Sequence, residues 1–262
     1  MDIYNFNPST ILSFLLTLFR ISLVVFLLPF FGGQLIPKTV KAALCIVLSL
    51  GLWPHLSFEG SYYPDHPFQI MVWLFGEILL GLVLGLVVRF LIAAVQTGGQ
   101  IIGFQMGFAM VNVVDPLTGV SEAVTAHLLY MTSMLIFLSL NGHLYLLHGL
   151  TQSFDLVPPG AFMATPELTS QVIYFSGQIF VLAIKIAAPI ITVVFLVNLG
   201  LALISRAAPQ MNVLLIGFPM KIAVGFLFLG MVFDIMSIYI AEFINTLGGN
   251  LYHLLRAGTV GS

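Results

Sequence analysis

Charge is the scarcest feature of this chain. Only 7% of its 262 residues are Asp, Glu, Lys or Arg, while 60% are hydrophobic. A soluble domain carries about 25% charged residues. With a mean hydropathy of +1.10 there is too little polar surface to cover a water-soluble globule, so the composition reads as an integral membrane protein. The net charge is −2 and the charges are scattered singly. The lack of a basic run speaks against nucleic acid as a partner. Cys45 is the single cysteine, which excludes an internal disulfide and a multi-cysteine metal site. It lies in the apolar run 42–52 and reads as a small buried hydrophobe.

Catalytic signatures are missing too. No GxxxxGK[ST] phosphate loop, HExxH zinc motif or GxSxG elbow occurs. His143 and His148 are five apart, on different faces of a helix, and make poor joint metal ligands. His127, His143 and His148 read as interfacial or core residues. The expectation is a protein that is not an enzyme and has no metal or cofactor. The opening MDIYNFNPST has no positive n-region and no small-x-small cleavage site follows the first apolar run, which is expected to stay in the mature protein.

What is present is a series of six apolar blocks, roughly 10–31, 42–56, 68–95, 123–150, 170–204 and 211–247. A spanning helix needs about 20 apolar residues, so the second block is short and the last two are long. Pro189 and Pro219 fall inside those two and predict kinked or broken helices. Pro29 and Pro37 bracket one turn, Pro64 and Pro67 a loop, and Pro158-Pro159-Gly160 ends the fourth block. Counting Lys and Arg places the 32–41 and 205–210 loops in the cytoplasm and both termini outside. No internal repeat or low-complexity segment is visible.

Seven charges lie within the apolar blocks: Arg20, Glu77, Arg89, Lys185, Lys221, Asp234 and Glu242. Each costs about 2.5–3.5 kcal/mol at a bilayer centre, so each is expected to pair, to face a bundle interior or to line water. Glu77 and Arg89 sit about 18 Å apart along one helix and need partners elsewhere. An ion or proton relay is one reading. Fixed pairs locking helices or subunits is the other, favoured because the charges do not cluster on one segment. A third possibility is that several blocks never reach the bilayer centre.

Gly81 and Gly85 form a GxxxG pair, and Gly99, Gly103 and Gly107 continue the same spacing. Such stripes let helix backbones approach closely in lipid. Gln96 and Gln100 share a face with the second stripe, so a helix-packing or subunit seam is expected at Gly81, Gly85, Gln96, Gly99, Gln100 and Gly103.

The segment 98–119, GGQIIGFQMGFAMVNVVDPLTG, holds five glycines, two glutamines, an asparagine and an Asp-Pro step. Irregular backbone at membrane depth is tolerated only when buried in protein or lining a cavity. A pore, a gate or a crowded interface is therefore expected here. Phe104, Met106, Phe108 and Met110 stand at every second position, and bulky deformable groups of this kind can seal a pore by dewetting. Asn112 and Asp115-Pro116 supply a turn. An ordinary re-entrant turn packed in a helical core fits the same residues equally well.

This segment resembles the hallmark of the FliR family of flagellar type III export-gate subunits, with more distant relatives in injectisome secretion. FLLTLFRISLVVFLLPFFGGQLIPKTVKAAL (14–44) and ISRAAPQMNVLLIGFPMKIAVG (204–225) carry the resemblance over nearly the whole chain. The resemblance implies an all-α membrane protein of kinked helical hairpins, wound into a helical hetero-oligomeric export gate. It implies one export-gate membrane domain over 1–262, FliP-like over about 1–175 and FliQ-like over about 176–262. The implied partners are FliP, FliQ, FlhB, membrane lipid and exported flagellar proteins in transit. The implied place is the bacterial inner membrane, in the flagellar basal body, protruding toward the periplasm. Carried over residue by residue, the family's plug falls on Phe104, Gln105, Met106, Gly107, Phe108, Ala109, Met110, Val111 and Asn112, with Asp115 and Pro116 turning the chain out. The resemblance favours the gate reading. A stand-alone secondary transporter is the alternative, and a membrane enzyme a weaker third.

Overall fold

The computed structural model describes residues 8–32, 36–55, 64, 66–108, 124–158, 160–162 and 164–258. Among these the chain is helical and contains no strand. In chain order the α-helices are α1 (Pro8–Leu27), α2 (Pro29–Gly32), α3 (Lys38–Leu52), α4 (Pro67–Met106), α5 (Val124–Ser139), α6 (Gly142–Leu156), α7 (Pro166–Ala207) and α8 (Val213–Ala257). Four of them, α1, α4, α7 and α8, are long and apolar enough to cross a membrane. The chain is an all-α membrane protein.

Proline sets many of these starts. Pro8, Pro29, Pro67 and Pro166 are each the first residue of a helix, where the missing N–H is no loss and φ is already helical. Thr165 completes the start of α7. Its hydroxyl accepts a bond from Leu168 N at 3.1 Å, a normal N-cap geometry, and donates to the carbonyl of Ala257 at the end of α8 at 2.5 Å. Three hydroxyls inside the apolar helices are satisfied at home. Thr17 donates to Ser13 O, Ser49 to Cys45 O and Thr97 to Ala93 O, so their hydroxyls need no water.

Three expectations change on contact with the structure. First, the third block does not end near 95. The helix α4 runs for 40 residues through Gly98, Gly99 and Gly103 to Met106, so the backbone is regular over 98–106 rather than irregular. Second, the fourth block divides into α5 and α6 at Asn141, which takes a left-handed φ of 56°. Third, of the kinks or breaks expected at Pro189 and Pro219, no break occurs: α7 and α8 keep their helical backbone across both. Each proline removes one ladder bond while the turns on either side continue.

The chain packs as two compact units. One is drawn from Met1–Phe90, Asn141–Phe175 and Ile244–Ser262, the other from Leu91–Leu140 and Ser176–Phe243. The first is centred on Leu16, Ile21, Val25, Leu80, Leu84 and Leu150, the second on Val95, Ile102, Leu129, Ile186, Ile190 and Met236, all buried.

Candidate functional site

The most polar interior feature of the first unit grows from α1. Arg20 is fully buried. Its Nε donates to Glu77 Oε2 at 2.5 Å and Nη2 to Glu77 Oε1 at 3.0 Å, a two-point pair between α1 and α4. Nη2 also donates to the Val157 carbonyl at 3.0 Å, and Nη1 donates to Ser153 O and Oγ. All five N–H donors of the guanidinium are used. Glu77 Oε1 accepts a further bond from the Gly160 amide at 3.2 Å, and the Arg20 Cζ lies 4.1 Å from the Phe154 ring centroid. The pair thus gathers the carbonyls at the end of α6, where a cation is favoured, and pins the turn that follows. Close backbone approach makes room for it. A Cβ on Gly81 would sit 2.8 Å from Arg20 O, and one on Gly85 would overlap Leu27.

In the second unit the end of α4 is held by glycines. A Cβ on Gly98 would lie 3.0 Å from Ala183 O on α7, and one on Gly99 only 2.5 Å from Ala126 Cα on α5. Thr125 Oγ1 donates across this contact to Gly99 O at 2.8 Å. Then α4 stops. Phe108 N bonds back to Gly103 O and Gly107 N to Phe104 O, while Gly107 takes φ +90°. That is a Schellman stop with Gly107 in the left-handed position. Met106 is fully buried, with Gly225 of α8 beneath it, and Phe108 packs edge-on to Phe226 at 6.3 Å between centroids.

The sequence-derived residues divide accordingly. Of the plug set, Phe104 to Phe108 form the last turn and stop of α4, with Phe104 67% exposed and Gln105 half-buried. Ala109, Met110, Val111, Asn112, Asp115 and Pro116 lie outside the described residues. Of the seam set, Gly99 and Gly103 are buried, Gln96 is half-buried and Gln100 exposed. Of the seven charges only Arg20 and Glu77 are buried. Arg89, Lys185, Asp234 and Glu242 are exposed and Lys221 is half-buried. The Lys185 ammonium lies 5.4 Å from the Tyr239 ring centroid.

The profile of the bacterial export proteins, family 1, matches residues 11–247. The chain belongs to this family. Within it, this family-1 chain is 34% identical over 222 residues to the flagellar biosynthetic protein FliR of Bacillus subtilis, covering 83% of the chain and 84% of that relative. The identity to Escherichia coli FliR is 31% over 238 residues, 91% and 89% of the two chains. The Yop proteins translocation protein T of Yersinia pestis is 34% identical over 189 residues, 70% and 72% of the two chains. This export protein is therefore of the FliR type, an integral membrane component of a flagellar or type III export system.

Sequence reasoning did not find several residues that build these two sites. Ser153, Phe154 and Val157 complete the Arg20 cage, and Phe218, Gly225 and Phe226 receive the end of α4. The cage had a signal: a lone buried arginine needs acceptors, and a helix ending just before Pro158 offers free carbonyls. Gly225 had none, because an isolated glycine in an apolar block says nothing about what approaches it.

Proposed function

We propose that this chain is a core subunit of the flagellar type III protein export gate, forming part of the protein-conducting channel and its plug. The observation that carries the proposal is the apolar surface of α7. Its large exposed hydrophobic side chains run from Ile173 through Phe180, Phe195 and Leu199 to Ile204. That stretch covers about 46 Å of helix axis, against a hydrocarbon core of about 30 Å. Lipid alone does not cover such a helix, so other protein surrounds part of it. Only 28% of its most apolar window is buried within the chain, and 17% for α8. The expected neighbours are FliP and FliQ subunits in a hetero-oligomer, with FlhB alongside. The FliP-like part is taken as about 1–175 and the FliQ-like part as about 176–262. The assembly sits in the bacterial inner membrane and protrudes toward the periplasm, which accommodates exposed charges such as Arg89 and Lys185 away from acyl chains.

In this reading the chain is a conduit rather than a catalyst. The segment 104–112 forms the plug, with Asp115-Pro116 turning the chain out of the constriction. A stand-alone transporter fits less well, since the buried pair Arg20–Glu77 spends its donors on Ser153, on Val157 and on itself and so does not itself present a site to a substrate. Deleting residues 104–112 tests the plug. The assembled complex is expected to leak small ions across the membrane, and an assembled complex that stays as tight as the unaltered one would refute the role.

A further inference from the structure

We infer that Gly225 on α8 is a seat for Met106, and that this seat, together with Phe218, fixes the root of the plug segment. The inference rests on the plug reading above and adds what holds the plug in register. A Cβ on Gly225 would lie 2.6 Å from Met106 Cε and 2.7 Å from both its Cγ and Sδ. The whole thioether chain, not only its flexible tip, lies over the glycine, and Met106 is fully buried. One residue on, a Cβ at Gly107 would meet Phe218 Cδ1 at 2.9 Å, and the φ of +90° already disfavours any L side chain there. Phe108 then packs edge-on to Phe226. Phe218 and Gly225 are seven residues, or two turns, apart on α8 and share one face. Three consecutive residues of the α4 terminus are thus held by that face.

This divides the plug residues by role. Met106 is an anchor whose side chain is consumed inside its own chain, whereas Phe104, two residues earlier, is exposed and free to meet other surfaces. Gly225 is accordingly a positioning residue. Any side chain there expels Met106 and releases the start of the plug segment, and the sealing surface loses its register.

The test uses the chain co-expressed with its membrane partners, with assembly checked by co-purification. Gly225→Val is expected to raise ion leak toward that of the variant lacking 104–112. Adding Met106→Ala, which vacates the space the valine needs, is expected to reduce the leak again, because large-to-small and small-to-large changes at one contact compensate. An assembled Gly225→Val complex that stays tight overturns the seat. So does a leak that Met106→Ala leaves unchanged. A deletion variant that stays tight refutes the plug reading instead, and the seat is then decided by cross-linking. A Cβ at position 225 lies 2.7 Å from Met106 Cγ, one bond from its Cβ, which fits a disulfide Cβ spacing of about 3.5–4.5 Å. Met106→Cys with Gly225→Cys, in a Cys45→Ser background, is expected to form an intrachain disulfide on mild oxidation. Its failure to form in the assembled complex overturns the seat on its own.

Discussion

Arg20 and Glu77 lie 57 residues apart and meet as a fully buried two-point ion pair that fastens α1 to α4. Removing one partner leaves the other as an uncompensated buried charge, which costs about 3–5 kcal/mol. Arg20→Ala is expected to lower the thermal midpoint of the purified complex and to expose the chain at Val157 and Gly160 to protease. Arg20→Lys is expected to recover little, since a single ammonium cannot serve Glu77, Ser153 and Val157 together. Arg20→Leu combined with Glu77→Leu is expected to be more stable than either single change.

The contact between Gly99 and Thr125 predicts a graded response. Thr125→Val removes one bond between helices while preserving shape, and is expected to cost about 0.6 kcal/mol. Gly99→Leu drives a side chain into the Ala126 backbone, which cannot yield as a side-chain tip does. A much larger loss of assembled complex is expected, measured as yield after co-purification.

Gly107 ends α4 in a left-handed conformation. Gly107→Ala is expected to cost about 1–2 kcal/mol, with the added crowding of Phe218. The measurable result is a lower thermal midpoint and faster proteolysis immediately after α4.

Thr165 caps the start of α7 and bonds the end of α8. Thr165→Ala is expected to cost about 1 kcal/mol, whereas Thr165→Ser, which keeps the hydroxyl, is expected to be near neutral. Thermal unfolding of the two variants side by side checks this.

Much of this architecture was legible in the sequence because membrane helices announce themselves by composition, and because the loop bracketed by Pro64 and Pro67 marks where α4 starts. The error at 98–106 has a physical source. Glycine lowers helix stability in water by about 1 kcal/mol relative to alanine, so clustered glycines read as a break. Here Gly98 and Gly99 let Ala183 and Ala126 approach the helix, and the regular backbone continues. The break within the fourth block was readable and passed over: Asn141-Gly142 is an Asn-Gly turn signal inside an apolar run. The partner of Glu77 was not readable. It lies on another helix, and no periodicity along one segment reports a pair formed between two.

An export-gate subunit is one part of a hetero-oligomer and is not stable alone. Mass analysis of the intact complex, after co-expression with candidate partners and gentle extraction, tests this directly. A single multi-subunit particle containing this chain with several copies of FliP and FliQ is the expected result. A chain that purifies alone as a stable, monodisperse monomer, with its long apolar helices needing only detergent, would contradict it.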